Sequence, residues 1–336
     1  MANEIEKVNG IAIADIQAIN GITDANLEKL NGIELADLSY DGGTRAIFGY
    51  GQNASGFLSL SNLVSTLGVV ASDTSGVGTA RRDLAASVYG GDKAIFAFGM
   101  FDDGGSNAVT AVKNLVNSSG VVASDATGVG TVRRDLAAAS YGGDKAIFAV
   151  GRTTSSSGRT AVSNLVSNSG VVASDTAGVG TTRHELSATS YGVGKAIFAF
   201  GEAASGNVSL KNLVSNVGVV ATDATGVGTA RANLQGAAYG DDKGIFAFGY
   251  SDDYVGMSNL VSNSGVVASD VSAVGTARSG GGGAGYGDKA IFAYGQTADG
   301  DNHTSLSNLV NNSGVIASDV TGVGTARAEM AAASFG

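Results

Sequence analysis

Short apolar runs recur along the chain, each bounded by Gly, Asn, Asp and Ser. One run ends in an Ile-Phe pair: Ile47-Phe48, Ile95-Phe96, Ile147-Phe148, Ile197-Phe198, Ile245-Phe246 and Ile291-Phe292. A second is built from small residues, as in Leu136-Ala137-Ala138-Ala139-Ser140-Tyr141 and Leu186-Ser187-Ala188-Thr189-Ser190-Tyr191. Runs of Val, Ile, Phe and Tyr closed by turn residues predict short β-strands. The turn glycines supply positive φ without steric cost.

The runs are parts of a repeat. Asn-Leu-Val begins at Asn62, Asn114, Asn164, Asn212, Asn259 and Asn308, in steps of 52, 50, 48, 47 and 49 residues. An Asp follows each Asn by eleven residues (Asp73, Asp125, Asp175, Asp223, Asp270, Asp319). An Arg follows each Asp by eight (Arg81, Arg133, Arg183, Arg231, Arg278, Arg327). In the second copy, four strands are expected at 84–89, 93–98, 112–116 and 121–124. Four strands in nearly fifty residues match one propeller blade, which cannot bury both faces alone. The expected fold is all-β: a six-bladed β-propeller with four-stranded blades, spanning 35–336 as one domain behind a leader at 1–34.

Strands crowd at a propeller axis, so the small-residue strand is expected innermost and the Ile-Phe strand between blades. Seven segments compete for six inner places, because 35–40 and 330–335 both match. The C-terminal one is expected to close the ring, since Ala331 to Ala333 suit a crowded axis and Asp37 with Leu38 do not. Closure by the far end of the chain leaves no exposed edge.

The leader repeats Asn-Gly-Ile at Asn9, Asn20 and Asn31. The segment 23–30 reads as a short helix, capped by Thr23 or Asp24 and ended by Asn31-Gly32. Ile11, Ile13, Ile16, Ile19, Ile22, Leu27 and Leu30 are too many apolar residues to leave in water. The leader is expected to dock on its own propeller, on another copy as a homo-oligomer, or on a partner.

Composition removes several classes. The 336 residues carry no Cys, Pro or Trp, which excludes disulfide scaffolds and cysteine-based zinc or nucleophile sites. The 52 glycines follow no collagen period. Net charge is −10, with no basic cluster for nucleic acid or an anionic membrane. No apolar run is long enough to span a bilayer, and the N-terminus lacks a Sec-type signal.

No residue set declares a reaction or a cofactor. His184 and His303 are the only histidines, and neither carries triad or metal spacing; His184 is expected to be a tolerated surface residue. The recurring Asp reads as a local Asx turn and the recurring Arg as a brace between blades. The acidic tips at Asp102-Asp103, Asp252-Asp253 and Asp299 to Asp301 read as solvated hairpin ends without the spacing of a Ca²⁺ loop. The run Gly280 to Gly283 is not a phosphate loop, because no Lys-Ser/Thr follows.

The Asn-to-Asp and Asp-to-Arg spacings never change, and length varies chiefly between the Gly after the Ile-Phe strand and the next Asn-Leu-Val. These separations are 11, 15, 13, 11, 10 and 13 residues, starting at Gly51, Gly99, Gly151, Gly201, Gly249 and Gly295. Six unlike loops on a uniform scaffold are expected to crown one face and carry recognition. The candidate residues are Phe101, Asp102, Asp103, Arg152, Tyr250, Asp252, Tyr254, Asp299 and His303. Exposed Phe101, Tyr250 and Tyr254 suit stacking on a sugar or filling a partner's pocket.

The small-residue strand, the Tyr-Gly turn, Lys-Ala-Ile-Phe-Ala-Phe-Gly and the preceding Arg together resemble a Kelch-like propeller repeat over about 35–336. The double Gly is usually incomplete and Trp is absent. The near-identical copies and the Asn-Gly-Ile leader look like virion structural or tail-fibre proteins of marine bacteriophages. That resemblance implies a non-enzymatic virion component: a tail fibre, spike or decoration protein. It would join other virion proteins through the leader and meet a host receptor or glycan through its loops. The alternative is a cellular or secreted propeller acting as a protein-interaction or glycan-binding module, extracellular without a Sec signal.

Overall fold

The computed structural model describes residues 45–336, apart from 155–157 and 273–274, together with six two-residue strands in the leader. The chain forms two compact units, Met1–Gly43 and Thr44–Gly336. Among the described residues every regular element is a strand.

In the leader the strands pair as three minimal hairpins. Lys7 and Val8 face Ala12 and Ile11, Ala18 and Ile19 face Thr23 and Ile22, and Lys29 and Leu30 face Glu34 and Ile33. Each register leaves one Asn-Gly dipeptide between its strands, the pair most suited to a two-residue hairpin. This corrects the helix expected over 23–30: Thr23 and Leu30 belong to different hairpins, and Asn31-Gly32 links two strands. Residues 24–28, and with them Leu27, lie outside the described residues, as do Ile13 and Ile16.

The larger unit holds six three-stranded antiparallel sheets of one pattern, with the Ile-Phe strand in the middle of each. In the second sheet Lys93–Ala97 lies between Ala85–Tyr89 and Lys113–Val116. The third to sixth repeat this order around Lys145–Ala149, Lys195–Ala199, Lys243–Ala247 and Lys289–Gln296. The first sheet combines both ends of the unit: Arg45–Gly49 is flanked by Ser61–Val64 and by Ala331–Phe335. The C-terminal segment therefore takes the inner place, as its alanines suggested, while 35–40 lie outside the described residues. No sheet closes on itself. The whole is an all-β, β-propeller-like arrangement.

The fourth strand expected in each repeat is not a ladder. Val122 and Ala126 meet Val116 and Lys113 only as isolated bridges, so the outer segment uses one residue more than the strand it follows. That extra residue breaks the pairing, as a bulge does. The side chain of Asn114 fills the gap, its amide donating to Ala123 O at 3.0 Å and to Asp125 Oδ1 at 2.9 Å. The same two bonds recur at Asn62, Asn164, Asn212, Asn259 and Asn308.

Apolar clusters join each sheet to the next. One binds the first and second sheets through Tyr50, Phe96 and Phe335, and another binds the sixth to the first through Phe48, Ile291 and Tyr294. Every Ile-Phe pair is at most 1% exposed. Burial of this kind stabilises by about 1.5–3 kcal/mol per large side chain.

Polar latches reinforce the same junctions. The carboxylate of Asp125 accepts from the backbone N and hydroxyl of Thr79 in the preceding repeat, at 3.0 and 2.6 Å. Arg81 Nη2 donates to Asn114 Oδ1 at 2.6 Å. The recurring Asp is therefore a link between repeats, not the local Asx turn expected. It reaches Asn eleven residues back and a Thr of the adjoining repeat, 41–46 residues back in five cases and Thr325 for Asp73, because the bulge points its carboxylate at the neighbouring sheet. These interactions hold all six carboxylates below their ordinary range against the opposing pull of burial.

Candidate functional site

The strand order places three features at one end of the sheets. Inner strands begin where the Ile-Phe strands end, as Ala85 facing Ala97 shows. The residue that opens each variable loop pairs with the residue after each recurring Arg: Met100 with Arg82, Arg152 with Arg134, Glu202 with His184, Tyr250 with Ala232, Gln296 with Ser279 and Gln52 with Ala328. The six loops thus start beside the segments that enter the inner strands.

Those segments meet in a closed ring of backbone hydrogen bonds. The N–H of Asp135 donates to Asp83 O, Glu185 to Asp135 O, Asn233 to Glu185 O, Gly280 to Asn233 O, Glu329 to Gly280 O and Asp83 to Glu329 O, all at 2.6–2.9 Å. All six donors have positive φ, between 53° and 63°. Asn, Asp and Gly tolerate that region, whereas Glu185 and Glu329 adopt it at a cost. Sequence reasoning passed over these residues. The signal was an acid two residues after the recurring Arg in four of six repeats.

The ring surrounds a recess of about 80 Å³. Its floor is Leu84, Leu136, Leu186, Leu234 and Met330, all buried. The sixth floor position is Gly281. The side chain of Gln235 comes close there: a Cβ on Gly281 would lie 2.3 Å from Gln235 Nε2.

Four carboxylates and several guanidinium groups balance around the ring. Arg82 Nη1 lies 2.5 Å from Glu329 Oε2, and Arg134 Nη1 lies 2.9 Å from Asp83 Oδ2 and 2.8 Å from Asp135 Oδ2. Burial raises Glu185 to about 7, a rise that the nearby Arg152 opposes. Burial, assisted by the charge on Asp83, raises Glu329 to about 8. Asp135 is raised by burial and by the charges on Asp83 and Glu185. All three shifts run in one direction because crowded acids in a shielded place resist joint ionisation.

His184 is fully buried, not the surface residue expected, because Arg152 and Arg159 pack against its ring. Its Nδ1 faces Arg159 Nε at 3.1 Å and its Nε2 contacts Arg152. Burial and these two cations depress its pKa to about 3, so the ring is neutral. Asp135, His184 and Glu185 bring three ligand-type atoms within 4.8 Å of one another. A divalent ion there would meet Arg134, Arg152 and Arg159, so the cluster has the character of a charge-compensated brace.

The residues expected in recognition fall into separate groups. Arg152 turns inward to His184 and Asp135. Phe101 sits half-buried in the hairpin Met100–Asp102/Asn107–Val109. Asp102 and Asp103 are exposed at its tip, accepting from the N–H groups of Gly104 and Ser106. Tyr250, Tyr254 and Asp299 come together across two repeats. The tyrosine rings meet edge to face at 5.2 Å, and Tyr254 Oη donates to Asp299 Oδ1 at 3.2 Å. Asn207 of the preceding repeat donates to Tyr250 O at 3.3 Å. Asp252 is exposed beside them. His303, half-buried, pairs with Gln296 in the sixth sheet.

No family model matches the chain, and no curated protein matches it. Among solved structures it is similar to one described as "Structure of YjhT", with a TM-score of 0.59 and 12% identity over 77% of this chain and 90% of that one. At that identity the likeness extends to the fold alone.

Proposed function

We propose that residues 44–336 form a six-bladed, Kelch-like β-propeller that serves as a non-enzymatic structural component of a bacteriophage virion. In this reading it is a tail fibre, spike or decoration protein. The loops at one end of the sheets meet a host receptor or glycan, and the leader joins the chain to other virion proteins or to further copies of itself. The observation that carries the reading is the contrast between a uniform latch repeated at every junction and six unlike loops that all begin around one ring. A uniform frame with one diversified end is the arrangement of a binding scaffold.

The Tyr250–Tyr254–Asp299 group is the loop surface best suited to a sugar face, with two aromatic rings and an acceptor beside them.

A second reading is favoured by Glu185 and Glu329, since carboxylates that keep a proton near neutral pH are typical of acid–base sites. It requires a substrate whose reacting group alone enters the ring.

Antibodies against residues 44–336 test the first reading by immunogold microscopy of particles released from the source culture. Label on particle tails or surfaces is the expected result. Label confined to cells, with none on particles, would contradict it.

A further inference from the structure

The interface between the third and fourth sheets differs from the other five, and the difference leaves a cavity. After each Ile-Phe strand one residue with positive φ turns its side chain toward the next sheet. It is Tyr50, Phe98, Phe200, Phe248 or Tyr294 in five repeats and Val150 in the third. Each of the five rings meets the Phe of the next sheet, with centroids 5.2–5.8 Å apart. Each also lies beneath the recurring Arg, whose Cζ is 3.8–4.7 Å from the ring centre. At the third junction Phe198 and Arg183 are in the corresponding places without a ring between them.

A cavity of about 240 Å³ lies there, lined by Ala149, Val150, Leu165, Val179, Phe198 and Val220. Its mouth is bordered by Val217 and Val219, which are 70% and 63% exposed. The sister junctions also give the polar requirement. The hydroxyls of Tyr50 and Tyr294 donate to the carbonyls of Val77 and Val323. The residue in the same place in the third repeat is Val179, on the cavity wall.

We propose that this cavity binds a small monocyclic aromatic molecule of the phenol class. Its ring takes the position of the five tyrosine and phenylalanine rings, edge to face with Phe198 and beneath Arg183, and its hydroxyl donates to the Val179 carbonyl. An apolar cavity of about 150 Å³ is enough for benzene, so the space admits a substituted ring. The guanidinium adds an attraction that an aliphatic ligand does not receive.

The test uses the full chain with phenol, p-cresol and cyclohexanol, followed by calorimetry and by NMR of valine methyl groups. Phenol and p-cresol should bind saturably, with shifts centred on Val150, Val179 and Val220. Cyclohexanol should bind at least about tenfold more weakly, a difference of about 1.4 kcal/mol. Val150→Phe should raise the melting temperature without ligand and weaken phenol at least about tenfold. If that variant fails to fold, the wild-type valine shifts decide alone. No saturable binding, shifts at other valines, equal affinity for cyclohexanol, or a folded Val150→Phe that binds phenol as well as the wild type would each overturn the proposal.

Discussion

Thr325 and Asp73 lie 252 residues apart in the chain, yet the Thr325 hydroxyl donates to Asp73 Oδ2 at 2.6 Å and its backbone N–H at 3.0 Å. The same latch joins Thr79 to Asp125 and Thr181 to Asp223 within the chain. The junction between the sixth and first sheets thus carries the same Thr–Asp latch as the internal ones. Thr325→Val should lower unfolding free energy by about 1–2 kcal/mol, the range for a charge-assisted hydrogen bond at a partly exposed carboxylate. Urea unfolding should show a similar loss for Thr181→Val. A closing junction that tolerates Thr325→Val without cost, while Thr181→Val destabilises, would show that the ends are held by other means.

The axial acids give the fold an unusual dependence on pH. Glu185 and Glu329 have folded pKa values near 7 and 8, against an ordinary value of 4.5. Between those limits the folded chain binds more protons than the unfolded chain, so stability falls as pH rises. The contribution is fully present below about 4.5 and is lost through pH 7–8. The six latch aspartates act oppositely: depressed below 3.8, they hold stability that disappears as acid protonates them. The buried neutral His184, depressed to about 3, adds stability that grows up to its ordinary value of 6.5 and partly offsets the acids below that pH, so the melting temperature should decline most clearly from about pH 6.5 toward pH 8.5. The double variant Glu185→Gln/Glu329→Gln should flatten that decline. A melting temperature that climbs from pH 6.5 to pH 8.5 would refute the assignment.

Gln235 is 2% exposed, and neither of its side-chain amide atoms has a hydrogen-bond partner. Its counterparts on the other inner strands are Ala85, Ala137, Ser187, Gly282 and Ala331. The amide reaches the space that Gly281 leaves where other repeats carry Leu or Met. Replacing a buried amide that lacks partners with an apolar group of similar size removes a desolvation cost of about 1–3 kcal/mol. Gln235→Leu should raise stability by about 1–2 kcal/mol in thermal or urea unfolding. Destabilisation of that size would mean that the amide serves the inner strands in a way that its geometry does not reveal.

Much of the frame was legible because it depends on spacing. Asn114, Asp125 and Arg81 recur at fixed intervals; the Asn and Asp bonds recur in all six repeats, and the Arg-to-Asn bond in four of them. The inner position of Ala331–Phe335 followed from side-chain size at a crowded place. The bulge beside Asn114 was not legible, since a strand pattern does not report one extra residue on its partner. Asn31-Gly32 was read as a helix end when it separates two paired strands. The axial acids were hidden for another reason. Asp83, Asp135, Glu185 and Glu329 are far apart in sequence, and only the closed hydrogen-bond ring brings them together. Arg152 likewise looked like a loop residue until His184 was found buried beside it.

Recognition by the loop end is the central claim, and competition for adsorption tests it most directly. Purified wild-type chain and the variant Phe101→Ala/Tyr250→Ala/Tyr254→Ala, shown by circular dichroism to keep its fold, are each added to host cells before phage. The wild type should slow adsorption in proportion to its concentration, and the variant should need at least about tenfold more protein for the same effect, a loss of about 1.4 kcal/mol or more. Equal inhibition by the two proteins, or none by the wild type at saturating concentration, would contradict the account.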